Sequence, residues 1–144
     1  MDALLHTLTY LGIGLAFLIA GAFLFSITTK MSERKQILEQ ANTAAAIKLG
    51  GKILGLAVVI WAAAQYSLNL LDYTLWSAFG IAAQILSYWI VEHLLFPKIS
   101  LARKVEEGNK AVAILLFIIS VSVGLIIAGA LSYDAVYEML KDQA

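Results

Sequence analysis

Residues 111–132 read AVAILLFIISVSVGLIIAGALS, twenty-two positions without a single charge. A helix that crosses the hydrocarbon core of a bilayer needs about 20 mostly apolar residues. In that medium every backbone N–H and C=O must find its partner within the protein, and a single isolated stretch can do so only as a helix. The run is too long, and too little alternating, for a barrel strand. Three comparable stretches precede it: 8–27, also uncharged; 44–71, interrupted by Lys48 and Lys52; and 75–96, with Glu92 and His93 near its end. The expected fold is an all-α membrane protein with four transmembrane helices. Composition agrees: 61% of the 144 residues are hydrophobic and 14% charged, against about 45–50% and 25% in soluble domains. A soluble four-helix bundle would need polar outer faces, which the first and fourth stretches lack. A cleaved signal peptide would need a basic start and a short apolar region. No Lys or Arg precedes the first run, and residues 23–27 carry it past the small-residue site Ala20-Gly21-Ala22.

Ten Lys and Arg balance ten Asp and Glu, but the two signs are not mixed. Lys30, Arg34, Lys35, Lys48 and Lys52 cluster around the first inter-helix loop, and Lys98, Arg103, Lys104 and Lys110 around the third. Asp2, Asp72, Asp134, Glu138 and Asp142 fall at the opposite ends of the spans. Short loops rich in Lys and Arg stay cytoplasmic. The expected topology therefore has two basic hairpin loops inside, and both termini and the Asp72 turn outside. The basic loops suit anionic headgroups of the lipid bilayer. A neutral balance argues against a nucleic-acid partner. The absence of Cys excludes thiol catalysis and cysteine zinc sites.

A shift of 67 residues aligns the chain with itself without a gap. Glu39 meets Glu106, Asn42 meets Asn109, Ala44 meets Ala111, Ile60 meets Ile127 and Tyr66 meets Tyr133. Each half holds two spans, so both insert in the same direction: two tandem helical hairpins forming a parallel repeat. The expected units are 1–66, 67–133 and a short external amphipathic tail, 134–144. Small residues let helices approach closely in lipid. Ala44, Gly55, Ala62 and Tyr66 share one face of the second span, and Ala111, Ser122, Gly129 and Tyr133 are their counterparts on the fourth. With Gly51 added, these faces are expected to form a central packed pair, with Tyr66 and Tyr133 at the outer interface.

The segment Glu107-Gly108-Asn109-Lys110-Ala111-Val112-Ala113, followed by the Ser- and Gly-rich stretch 120–129, resembles the YjfL-type bacterial inner-membrane proteins. These form the domain-of-unknown-function family 350, with a duplicated two-helix unit. The first copy departs from the motif, Ala41 standing where the second has Gly108. The resemblance implies a small multi-pass protein of the bacterial cytoplasmic membrane. It implies no reaction, and at most an association with envelope maintenance or stress.

Several polar residues are candidate functional or partner sites. Glu39-x-x-Asn42 and Glu106-x-x-Asn109 stand at the inner starts of the second and fourth spans. They read either as helix caps or as a symmetric pair of polar sites. Glu92 and Lys52 lie at similar depth and either form a salt bridge or reach separately for headgroups. Ser77, Gly80, Gln84, Ser87, Tyr88 and Glu92 make a polar stripe on the third span. That stripe is either helix-to-helix glue or a hydrated path. His93 without companions is a poor metal ligand, no phosphate-binding glycine loop is present, and Ser120 and Ser122 lack a base. No cofactor is implied and no enzyme is expected. The expected function is a non-enzymatic membrane scaffold or accessory in envelope homeostasis, assembled as a homo-oligomer with a cytoplasmic or membrane protein partner. A small oligomeric channel or transporter is the alternative.

Overall fold

The computed structural model describes residues 2–28 and 32–141, with residues 134 and 135 described by their backbone alone. Lys30 and Asp142, and the side chain of Asp134, lie outside the described residues. Four long helices carry the fold: α1 (Asp2–Ile27), α3 (Thr43–Tyr66), α4 (Leu70–Leu95) and α6 (Lys110–Lys141). All four are long and apolar enough to cross a membrane. Two short helices, α2 (Glu33–Leu38) and α5 (Leu101–Glu106), occupy the basic loops. Among the described residues there is no strand. The protein is an all-helical membrane protein. The order long, short, long occurs twice: α1 and α4 start at 2 and 70, α2 and α5 at 33 and 101, α3 and α6 at 43 and 110.

The short helices escape the sequence reading because six residues of mixed charge carry too little periodicity to stand out. The second span also ends earlier than expected, at Tyr66 rather than Leu71. The cause is local. Asn69 caps α4 by accepting from the Asp72 N–H at 3.0 Å, and the Asp72 carboxylate reaches back to the Leu68 N–H at 2.9 Å. This reciprocal arrangement fixes a helix start where a continuous apolar run suggested none. At the other end, α6 runs unbroken to Lys141, so residues 134–141 continue the helix of the fourth span.

The turn between α2 and α3 contains Ala41 at φ 50°, and its counterpart between α5 and α6 is Gly108 at φ 83°. Both stretches need a left-handed residue immediately before the capping Asn. Gly adopts that conformation freely, whereas an L-residue with a Cβ is strained there by about 1–2 kcal/mol. Ala41→Gly is therefore expected to raise stability by about 1 kcal/mol, read from the unfolding midpoint in mixed micelles.

The most extensive helix contact is between α3 and α6, and α3 also touches α1, α4, α2 and α5. α3 is the centre of the bundle. Gly51, Gly55 and Ala62 are buried there. A Cβ on Gly51 would fall 2.5 Å from the Phe117 Cα, and one on Gly55 2.6 Å from the Ser120 carbonyl oxygen. The expected partner face on α6 is not the one used. Ala111, Ser122, Gly129 and Tyr133 are exposed, and a Cβ on Gly129 would meet nothing within 4 Å. α6 instead presents Ala113, Leu116, Ser120, Val123 and Gly124 to the core. A Cβ on Gly124 would lie 2.7 Å from the Gly55 carbonyl oxygen. Equivalent positions on α3 and α6 share an environment only in part: Leu56 and Val123, like Ile60 and Ile127, are buried in both helices, while the small-residue positions are covered only on the central α3.

Candidate functional site

Two lysines four residues apart on an apolar helix share one face. Lys48 and Lys52 are each only 1% exposed on α3. Charges at such depth face the interior and need partners. The partner is Glu33, the first residue of α2, itself 2% exposed. Lys52 Nζ donates to Glu33 Oε1 at 2.6 Å. Lys48 Nζ lies 3.7 Å from the same oxygen. Ser26 Oγ from the end of α1 donates to Glu33 Oε2 at 3.4 Å. The Phe25 ring sits under the Lys52 ammonium, 4.8 Å from Nζ to centroid, close enough for a cation–π attraction. Phe25 in turn packs edge-on against Tyr88 of α4 at 5.0 Å. This cluster pins α2, and with it the first basic loop, into the end of the bundle.

Of the two readings of Lys52 and Glu92, the salt bridge between them does not form, and the ion pair of Lys52 is with Glu33. Glu92 lies on α4, near enough for its charge to act on Lys52, and it lines a cavity together with Lys48. Depth along the membrane can be estimated from sequence, but it says nothing about which side of the bundle a residue faces.

Asn42 does more than cap. Its Oδ1 accepts from the Ala45 N–H at 3.2 Å. Its Nδ2 donates to the carbonyls of Val105 at 2.9 Å and Glu106 at 3.2 Å, and to Gln36 Oε1 at 3.0 Å. One side chain thus joins α2, α3 and the last turn of α5. Its counterpart Asn109 caps α6, accepting from the Val112 N–H at 3.1 Å. Asn109→Ala should cost about 1 kcal/mol, the ordinary value for a cap. Asn42→Ala should cost about 2–3 kcal/mol, because two carbonyls also lose a donor. Unfolding midpoints of the two variants in mixed micelles check the difference. Glu39 and Glu106 are exposed. They lie at the carboxyl-terminal ends of α2 and α5, and the capping hydrogen bonds of α3 and α6 come from Asn42 and Asn109.

The α4 stripe is buried at Ser77, Gly80, Gln84 and Tyr88. Gln84 Nε2 donates to the Ser120 carbonyl at 2.8 Å, tying α4 to α6. Gln84 Oε1 and the Tyr88 hydroxyl have no hydrogen-bond partner among the described residues. At the opposite end, Tyr66 and Gln65 of α3 and Asp72 and Trp76 of α4 line a cavity of about 440 Å³. Tyr133 is exposed at the same end of α6. His93 packs against Trp89 at 4.2 Å. Among the described residues no group of His, Cys, Asp or Glu suits a metal ion.

Residues 1–131 match the family model described as Domain of Unknown Function (DUF350). The chain is similar to the UPF0719 transmembrane protein YshE of Bacillus subtilis, 28% identical over 130 residues, which cover 90% of this chain and 96% of that protein. It is 27% identical over 133 residues to the UPF0719 inner membrane protein YjfL of Escherichia coli, covering 92% of this chain and 98% of the relative. A UPF0719 transmembrane protein of Aquifex aeolicus is 26% identical over 136 residues, which span 88% of this chain and 50% of that longer protein. No solved structure matches the chain.

Proposed function

The chain belongs to the DUF350 family, and on that premise we propose that it is a non-enzymatic scaffold or accessory of envelope homeostasis in the bacterial cytoplasmic membrane. In this reading it is a homo-oligomer built from two tandem hairpin units, 1–66 and 67–133, that inserts with both basic loops cytoplasmic and both termini outside. The observation that carries it is the deck formed by α2 and α5. Asn42 binds the two short helices together, and their exposed sides present Arg34, Lys35, Glu39, Arg103 and Glu106. That is a charged platform suited to a protein partner, held at one end of a bundle whose α3–α6 seam is closed by close backbone approach. The exposed Ser122 and Gly129 on α6 support association between copies, since small residues allow close helix approach in lipid.

The chain has no Cys, so single-Cys variants report association without background. Ser122→Cys and Gly129→Cys are expected to form disulfide-linked dimers in membranes, and Ala113→Cys, buried in the protomer, is not. No cross-link at either exposed position, with a monomer mass in native spectrometry, sinks the oligomer. A reporter fused to the carboxyl terminus and found active in the cytoplasm overturns the orientation. A partner that co-purifies in spite of the combined changes Arg103→Ala and Glu106→Ala contradicts the deck.

The unpartnered Gln84 Oε1 and Tyr88 hydroxyl favour the second reading, a small oligomeric channel or transporter. A buried polar atom without a partner costs about 1–3 kcal/mol unless water reaches it. Selective flux in liposomes, abolished by Gln84→Leu, would establish that reading over the scaffold.

A further inference from the structure

The end of the bundle that carries the basic loops contains a cavity of about 680 Å³, bordered on one side by Arg103 and Glu106 of the deck. Lys48 of α3 and Glu92 of α4 are part of its wall, with Lys98 and Arg103 from the α4–α5 connection and α5. Lys48 is almost wholly buried, yet its ion contact with Glu33 Oε1 is 3.7 Å long. That oxygen already takes a 2.6 Å hydrogen bond from Lys52. An ammonium has three N–H donors and a carboxylate oxygen accepts more than one, so Lys48 keeps its 3.7 Å contact with Glu33 and retains donors for the cavity it lines. Glu92 is partly buried, and no side-chain hydrogen bond or ion pair joins it to another described residue. A buried ammonium and a half-buried carboxylate, both withdrawn from water, gain from any further partner of opposite sign. One ligand carrying both charges would satisfy them together.

The rim refines the chemistry. Lys98 and Arg103 are exposed and bring two further cations to the same opening, with Glu106 as a second carboxylate. Three cations from three parts of the chain suit a phosphate, which Lys binds as a point charge and Arg as a fork. Glu92 suits an ammonium that can donate N–H. Trp89 and Phe96 complete the wall, and aromatic rings of this kind sit at headgroup level. We propose that this cavity binds a phosphorylated primary amine, its phosphate held by Lys48, Lys98 and Arg103 and its ammonium by Glu92. The headgroup of a phosphatidylethanolamine and free phosphoethanolamine share that chemistry.

The test titrates the full chain in detergent with dihexanoyl phosphatidylethanolamine, phosphatidylglycerol and phosphatidylcholine, and with O-phosphoethanolamine, read by native mass spectrometry. The ethanolamine lipid is expected to bind about tenfold more tightly than either other lipid, the ratio one charged hydrogen bond supplies. Phosphatidylglycerol lacks the ammonium, and choline lacks the N–H. Glu92→Gln should remove the preference for ethanolamine over choline. Lys98→Gln, at an exposed position outside the packed core, should weaken the ethanolamine and glycerol lipids alike. Competition by O-phosphoethanolamine at equal concentration assigns the site to the free ester, and its failure to compete assigns it to the lipid. Equal affinity for all three lipids, tighter binding of phosphatidylglycerol, or an unchanged preference in Glu92→Gln overturns the proposal.

Discussion

Glu33→Gln is expected to destabilise the protein by about 3–5 kcal/mol, the range for removing one partner of a buried ion pair. The midpoint of SDS-induced unfolding in mixed micelles measures it. The size follows from what is left behind. Lys48 and Lys52, each 1% exposed, would keep their charges with no carboxylate at 2.6 Å or 3.7 Å to balance them. α2 would also lose its anchor, since Glu33 is its buried side chain. The pair Glu33→Leu with Lys52→Met should recover part of the loss, because replacing both charges removes the desolvation cost along with the attraction. Glu107 provides the contrast. It pairs with Arg103 at 3.6 Å and Lys104 at 3.2 Å, but all three side chains are well exposed. Surface pairs of this kind are screened, so Glu107→Gln should change stability by less than about 1 kcal/mol. If Glu33→Gln shifts unfolding no more than Glu107→Gln, water reaches the cluster and the anchor is not electrostatic.

The four spans are readable because hydrocarbon leaves a chain few options, and a long apolar run already states its structure. The charge cluster is only half readable. Lys48 and Lys52, one turn apart in an apolar helix, announce a need for an anion. Glu33 does not announce itself as the supplier. It stands in Ser32-Glu33-Arg34-Lys35, a context that reads as a solvated loop. Only the fold of α2 back under α1 and α3 carries it inside. Glu92 matches Lys52 in depth because it lies within a span, yet azimuth around the bundle decides contact as much as depth does. The neighbours of Glu92 are instead those of the cavity it shares with Lys48.

Internal similarity misleads in a related way. Of the halves' matched residues, the Asn pair behaves alike at its caps, Asn42 on Ala45 and Asn109 on Val112. The left-handed turn before each cap also recurs, at Ala41 and Gly108. These are local features, set by a few neighbouring residues. Burial is not local. Ala44, Gly55 and Ala62 are buried because α3 is surrounded, while Ala111, Ser122 and Gly129 at the matched positions are exposed on α6. The charged cluster breaks the match further. An offset of 67 places Ser100 opposite Glu33, Leu115 opposite Lys48 and Ile119 opposite Lys52. The residues with chemistry are those in which the halves differ.

The close approach of α3 and α6 gives the second large effect. Gly55→Val is expected to cost about 3 kcal/mol or more, by the same unfolding measurement. Its Cβ would fall 2.6 Å from the Ser120 carbonyl oxygen and 2.5 Å from Gln84 Nε2. The first atom is backbone and cannot turn aside, so the helices must separate. Overpacking of this kind costs about 1–3 kcal/mol. The second atom is the donor that joins α4 to the Ser120 carbonyl at 2.8 Å. Displacing it leaves a buried amide unpaired, for about 1–3 kcal/mol more. Gly129→Val adds the same side chain to the face that equivalence with α3 would have placed in the core. Open space surrounds a Cβ there, so unfolding of the single chain should shift by no more than about 0.5 kcal/mol. Similar losses at both glycines would mean that α6 is rotated, bringing Ser122 and Gly129 inward. A large loss at Gly55 alone, with weaker Ser122→Cys cross-linking when Gly129→Val is added, would separate the two uses of small residues: one closes the protomer and the other faces a second copy.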